Sequence, residues 1–148
     1  MNKSVVSYLF LLIFILAARS ICVAETQIPS TPLRGLKGLE KAIEIQQFTG
    51  KPIILWSTWN TCPNTRKVSK WFASSGVTNS LKDFPRVILE SKGNEDEVRE
   101  SEIRGFSGGN FYVIYDYYFD SYSSVWAWKK GTYKIKKDLL SQIKNKIK

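Results

Sequence analysis

Cys62 and the residues that follow it are the part of this chain best suited to chemistry. The segment reads Cys62-Pro63-Asn64-Thr65-Arg66-Lys67 and follows an apolar run after a short polar stretch. A proline fits the first turn of a helix, where its missing N–H costs nothing. A cysteine at a helix N-terminus has a lowered pKa, and the cations of Arg66 and Lys67 favour the thiolate further. We therefore expect Cys62 to be the nucleophile of thiol–disulfide exchange, with Pro63 setting the helix start.

The composition excludes several other kinds of site. The chain has no histidine and a formal net charge of +9. Cys–His and Ser–His–Asp catalysis are therefore excluded, and so is a metal site built on histidine. Clustered thiols are also missing, since the only cysteines are Cys22 and Cys62. We expect no metal and no cofactor.

Residues 1–24 have the three parts of a secretory signal peptide: Lys3, an apolar run over 5–18, and a small-residue site that ends at Ala24. The apolar run is about 14 residues long, whereas a helix that spans a bilayer needs roughly 20. We expect export with cleavage after Ala24, to a bacterial periplasm or to the outside, with an uncleaved N-terminal anchor as the alternative. Cleavage would leave Cys62 as the only thiol, which excludes an intramolecular disulfide.

Hydrophobic periodicity and turn residues divide the rest of the chain into one domain over 35–148, preceded by an extended lead-in over 25–34. The predicted elements alternate between helices and strands and end in a hairpin and a closing helix. They are a helix over 35–50, a strand over 52–56, a helix from 63 to near 76, a strand over 86–90, a short surface helix over 95–103, strands over 111–115 and 125–128, and a helix over 135–147. This order predicts a small α/β sandwich.

These residues resemble the thioredoxin superfamily, in particular exported thioredoxin-like proteins. Residues 51–55 match the family strand Lys-Pro-Ile-Leu-Leu. Cys62, Pro63, Arg66 and Lys67 match the turn Cys-Pro-x-Cys-Lys-Lys. The resemblance covers roughly residues 36–147. It implies a thioredoxin-like three-layer sandwich with a mixed central sheet, and a thiol–disulfide oxidoreductase or isomerase site made of Cys62, Pro63 and Thr65.

The chain departs from the family pattern at three positions. Thr65 replaces the resolving cysteine, Thr61 stands where the family has a tryptophan, and Gly109 falls where the family has a cis-proline. A rival alignment places Trp59 on the family tryptophan but puts Cys62 out of register. Without a resolving thiol, a mixed disulfide on Cys62 can be released only by an external thiol or by a second cysteine of the substrate.

Two functions therefore remain open. The first is monothiol exchange or isomerase-like activity on protein thiols and disulfides, and it also allows a disulfide-linked homodimer through Cys62. The second is a redox-inactive binding or assembly factor of the cell envelope or of a secretion complex, which would contact its partner through the aromatic stretch over 111–128. The lysines after residue 128 form either a solvated helix face or a patch for peripheral contact with an anionic membrane. Nucleic acid is not an expected partner.

Overall fold

The computed structural model describes residues 27–59, 63–91 and 109–148. These residues form, in chain order, β1 (Leu33–Arg34), α1 (Gly35–Thr49), β2 (Ile53–Trp59), α2 (Pro63–Phe72), α3 (Ser75–Ser80), β3 (Arg86–Ser91), β4 (Asn110–Ile114), β5 (Tyr122–Trp126) and α4 (Leu139–Ile147). The surface helix predicted over 95–103 lies outside the described residues. Within the described ranges, no helix has both the length and the apolar character that a membrane span requires.

The strands form one mixed sheet in the order β1-β3-β2-β4-β5. β3 runs parallel to both β1 and β2, whereas β4 is antiparallel to β2 and to β5. One apolar core lies between the sheet and α1, and the other lies between the opposite face and the helices α2, α3 and α4. The predicted three-layer α/β sandwich with a mixed central sheet is therefore confirmed.

β2 lies at the centre of the sheet and supplies side chains to both cores. Because alternate residues of a strand face opposite sides, Ile53 and Leu55 pack toward α1, while Ile54 and Trp56 pack toward α2. All four side chains are fully buried. The continuous apolar run that predicted this strand is thus explained by a strand covered on both faces.

α1 ends where the sequence predicted, at a glycine. Gly50 has a φ of +67°, a left-handed conformation that favours glycine, and its N–H donates to Gln46 O at 2.7 Å. The helix is also tied to the sheet, since the side-chain amide Nε2 of Gln46 donates to Ile114 O at 2.9 Å. These two contacts fix the direction in which the chain enters β2.

The lead-in is held to the sheet by a buried arginine that the sequence did not identify. Arg86 is 1% exposed, and its Nη2 donates to Pro29 O at 3.0 Å and to Ser30 O at 2.8 Å. The end of the lead-in, Leu33–Arg34, then pairs with β3 as β1. Within the described part of the chain, Nε and Nη1 of Arg86 have no hydrogen-bond partner, and burial lowers the pKa of this guanidinium.

The helix predicted from 63 to near 76 is shorter than expected. α2 ends at Phe72, a turn follows in which Ser74 N–H donates to Trp71 O at 3.0 Å, and α3 then begins at Ser75. The break redirects the chain so that Val77 of α3 is buried in the same core as Phe72. Tertiary packing, rather than a breaker residue, therefore ends α2.

The last hairpin also differs from its prediction. β5 covers Tyr122–Trp126 rather than 125–128, because the exposed residues at its start pair with β4 without forming an apolar run. Trp128 lies beyond the strand and forms an isolated antiparallel bridge with Ile135. That bridge uses the first residue of the predicted closing helix, so α4 begins at Leu139 instead of at 135.

Candidate functional site

The predicted site lies where the central strand ends and α2 begins. β2 ends at Trp59, and α2 begins at Pro63, one residue after Cys62 in the chain. Pro63 is exposed and occupies the first helical position, as the sequence predicted. Cys62 itself lies outside the described residues. The structure describes the strand before it, β2, and the helix after it, α2.

Thr65 lies on the buried face of α2. It is 8% exposed, and Ser69, one turn later on the same face, is 6% exposed. The indole N–H of Trp56 on β2 donates to Ser69 Oγ at 3.0 Å, while the Trp56 ring stacks on Phe111 of β4 at 4.7 Å between centroids. These contacts hold α2 against β2 and β4, and they fix the helix face that carries Thr65.

Thr58 is a buried hydroxyl at the same end of β2, and sequence reasoning did not identify it. It lies two residues beyond Trp56, so strand alternation places its side chain on the face covered by α2. It is 2% exposed, and its Oγ1 has no hydrogen-bond partner among the described residues. Trp56, its neighbour on that face, contacts Ser69, which lies one helical turn after Thr65. The alternation of the strand was the signal that could have identified Thr58.

The start of α2 is electropositive. The first turn contains no acidic residue, and Arg66 and Lys67 are both exposed. The positive end of the helix dipole adds to the positive potential of these two cations. A thiolate, carboxylate or other anion is stabilised at such a helix start.

Gly109 immediately precedes β4 beside the end of β2, at the position that the resemblance assigns to a cis-proline. Its N–H donates to Ser57 O at 2.9 Å, and its φ of +90° favours glycine. A Cβ built on Gly109 would lie 3.1 Å from Cζ3 of Trp126 and 3.3 Å from Nε1 of Trp128. The indole of Trp126, which is 47% exposed, therefore leans over this end of β4. The sequence predicted Trp126 as part of the aromatic stretch, but it did not predict the contact between Trp126 and Gly109.

Comparisons with known proteins bear on the fold. No family model matches the sequence, and no curated protein matches it either. Among solved structures, the solution structure of a thioredoxin from Thermus thermophilus is similar to this chain, with 12% identical residues and a TM-score of 0.50. The similarity covers 79% of this chain and 87% of the thioredoxin chain. At this level of sequence identity the similarity concerns the fold alone. With its sheet order and its two-sided helical layers, the protein has a thioredoxin-like fold.

Proposed function

We propose that this protein is an exported thioredoxin-fold protein that carries out monothiol thiol–disulfide exchange through Cys62. The observation that carries the proposal is that α2 begins at Pro63, directly after Cys62 in the chain, at the end of the central strand. The electropositive first turn of α2, with Arg66 and Lys67 exposed, favours a thiolate over a thiol. The thiolate is the form that attacks disulfides.

The exchange has two steps. The Cys62 thiolate attacks one sulfur of a substrate disulfide, a new S–S bond forms, and the other substrate sulfur leaves as a thiolate. A second thiolate then attacks the mixed disulfide and releases Cys62 as a thiolate again. This second thiolate comes from a small external thiol or from another cysteine of the substrate. When it comes from the substrate, the net result is isomerisation, with no overall oxidation or reduction.

Because Thr65 has no thiol, the second thiolate has to come from another molecule. Thr65 lies on the buried face of α2. The resemblance assigns it the position of the resolving cysteine, where a hydroxyl cannot attack a mixed disulfide. We propose that Thr65 and the unpartnered hydroxyl of Thr58 stabilise the thiolate of Cys62 by donating hydrogen bonds. Pro63 sets the start of the helix and lacks the N–H that would otherwise need a partner there.

The test is the reactivity of Cys62 as a function of pH. We expect the rate of alkylation of the purified protein to titrate with a pKa below that of a free cysteine. We also expect oxidised glutathione to form a mixed disulfide that added thiol reverses. Cys62→Ser is the control and abolishes both signals in a chain that lacks Cys22, such as the cleaved one. Thr65→Val keeps the side-chain shape but removes the hydroxyl, so it should raise the pKa of Cys62. A pKa like that of a free cysteine, with no exchange, would refute the proposal.

Thr65→Cys is a gain-of-function variant of the same site. If Cys62 and residue 65 occupy the two positions of a Cys-x-x-Cys site, the variant should form an intramolecular disulfide under mild oxidation, detectable as a loss of two hydrogens by mass spectrometry. It should also reduce an insulin disulfide catalytically when a reductant is supplied, which the parent chain should do far more slowly. An oxidised variant that forms only intermolecular disulfides would contradict the proposed placement of Cys62.

Export is part of the proposal and rests on the N-terminal residues of the sequence. Cleavage after Ala24 would begin the mature chain at Glu25, close to the lead-in that Arg86 holds to the sheet. Expression of the full chain in a Gram-negative host, followed by fractionation and intact-mass measurement, tests both the compartment and the cleavage site. An intact precursor in the membrane fraction would favour the anchored alternative.

A second candidate function is favoured by one observation, the number of exposed aromatic side chains in the hairpin half of the domain. These side chains are Tyr115, Tyr117, Tyr118, Tyr122, Trp126 and Tyr133, each at least 39% exposed. Tyrosine and tryptophan are enriched in protein interfaces, so this surface suits a redox-inactive binding or assembly factor. A gene-deletion phenotype complemented by Cys62→Ser but not by Trp126→Ser would select this function over exchange.

A further inference from the structure

The outer edge of the sheet at β5 has features of an interaction surface. β5 is the last strand in the sheet order and pairs only with β4 in the part of the chain that the structure describes. Two hydrogen bonds show which of its backbone groups face β4. Ala127 N–H donates to Gly109 O at 3.3 Å, and Tyr115 N–H donates to Ser121 O at 2.9 Å. In an antiparallel pair such bonds recur at every second residue, so the residues between them turn their N–H and C=O groups outward.

Ser124 and Trp126 are two of these outward residues. In the register of the hairpin they lie opposite Tyr112 and Asn110, which makes both pairs non-hydrogen-bonded with respect to β4. The segment that follows does not cover the outer edge, because Lys136 N–H donates to Ala127 O on the β4 side of the strand. Within residues 27–59, 63–91 and 109–148, β5 thus presents backbone donors and acceptors that another strand could pair with.

Two of the exposed side chains along this edge are aromatic. Tyr122, Ser124 and Trp126 share one face of the sheet, and both aromatic residues are 47% exposed. The ring of Tyr122 already contacts the ring of Tyr112 at 5.7 Å between centroids. β5 itself contains no charged residue and no proline, the two devices that most often protect an edge strand from pairing.

We propose that β5 pairs with β5 of a second copy of this chain, antiparallel and with Ser124 opposite Ser124. In this register Tyr122 of one copy faces Trp126 of the other, so the interface contains two aromatic cross-strand pairs on one face. The backbone groups of Ser124 and Trp126 point toward the other copy, which joins the two sheets into one. The symmetry is that of an isologous dimer, in which the same patch is used twice.

The charges that flank β5 favour this antiparallel arrangement. Asp120 lies in the turn before the strand, and Lys129 and Lys130 lie in the turn after it; all three are exposed. The first turn is rigid, because the carboxylate of Asp116 accepts hydrogen bonds from the N–H groups of Tyr118, Asp120 and Ser121. Antiparallel pairing brings the acidic turn of one copy to the basic turn of the other, whereas parallel pairing would bring like charges together.

A separate acidic peptide would satisfy the basic turn but not the acidic one, so a second copy fits the edge better. The contact is small, since only a short strand from each copy takes part. Interfaces of this size are weak, so we expect a dissociation constant in the range of about 1–100 μM. The dimer does not require Cys62, so its formation and the proposed exchange reaction can be tested separately.

The test is sedimentation-equilibrium measurement of the purified protein over a concentration series, with Cys22→Ser and Cys62→Ser in every sample so that no disulfide-linked pair contributes. We expect a reversible monomer–dimer equilibrium. Ser124→Pro removes an outward N–H without touching the β4 ladder, so it should weaken association at least about 10-fold while the domain stays folded by circular dichroism. A protein that remains monomeric up to about 1 mM would overturn the proposal.

A charge swap tests the antiparallel register without altering the strand. Asp120→Lys and Lys130→Asp should each weaken the dimer by about 3–10-fold, because each places like charges together in both contacts. The double variant should recover the parent affinity. Lys37→Asp on α1 is the matched control for Lys130→Asp and should leave association unchanged. Failure of the double variant to recover, or a dimer unaffected by Ser124→Pro, would refute this interface.

Discussion

Ser69→Ala tests the contact that holds α2 against the central strand. The hydroxyl of Ser69 accepts the indole N–H of Trp56 at 3.0 Å, and both residues are buried. Removing the acceptor leaves a buried N–H without a partner, which costs about 1–3 kcal/mol. Alanine has a higher helix propensity than serine by about 0.5 kcal/mol, which offsets part of that loss. We therefore expect the free energy of unfolding to fall by about 0.5–2.5 kcal/mol.

The measurement is urea unfolding followed by tryptophan fluorescence and by circular dichroism. Ser141→Ala is the matched control, since Ser141 is an exposed residue of α4 and its substitution brings only the gain in helix propensity. The difference between the two variants isolates the cost of the orphaned indole N–H. We expect this difference to be about 1–3 kcal/mol, equivalent to a shift of several degrees in Tm.

A double-mutant cycle sharpens the result. Trp56→Phe removes the indole N–H, and it is destabilising on its own because it leaves a cavity beside Phe111. In that background Ser69→Ala no longer orphans a donor, so it should have the same effect as Ser141→Ala. If Ser69→Ala proved as stable as Ser141→Ala in the parent chain, the hydrogen bond would contribute nothing. The hydrogen bond between Trp56 and Ser69 would then not position α2 and Thr65.

Two further predictions concern residues that position segments next to the sheet, Gly109 and Arg86. Gly109→Ala should destabilise the fold by about 1–3 kcal/mol in urea unfolding, because it strains a positive φ and pushes a Cβ to 3.1 Å from Trp126. Gly76→Ala, in a helix with open space at its Cβ, should be neutral or stabilising; equal effects at both glycines would contradict this reading. Arg86→Met should change the global unfolding free energy by less than about 2 kcal/mol, since the lost hydrogen bonds are offset by the removal of buried orphan N–H groups. Hydrogen exchange over residues 27–34 should accelerate strongly in this variant, and unaltered protection there would show that the arginine does not hold the lead-in.

The sequence predicted those parts of the fold that have strong local signals. The central strand followed from an apolar run covered on both faces, and the start of α2 followed from Pro63. Gly50 ended α1 as expected, because a left-handed residue after the last helical turn favours glycine. Each of these features is determined by a few neighbouring residues, so a single sequence contains the information.

Features that depend on distant contacts could not be predicted. α2 ends at Phe72 because Val77 must reach the same core, and no local residue marks that break. β5 begins at Tyr122 because β4 supplies its partner, although the exposed residues at its start have no apolar alternation. The sequence predicts Arg86 only as the first residue of a strand; its burial follows from the path of the lead-in.

The motif around Cys62 is therefore stronger evidence for the fold than for a reaction. Its strand and helix start are required to build the central layer and its packing with α2, and the structure uses them for that purpose. The reaction depends on residues that the fold does not require. Thr65 and Gly109 both fit their packed positions without supplying a resolving thiol or a proline. A chain with this fold could keep Cys62 for exchange or lose its use without any change in the sheet. A measured thiol pKa, compared between the parent chain and Thr65→Val, separates these two outcomes, because that variant alters the setting of the sulfur and leaves the packing in place.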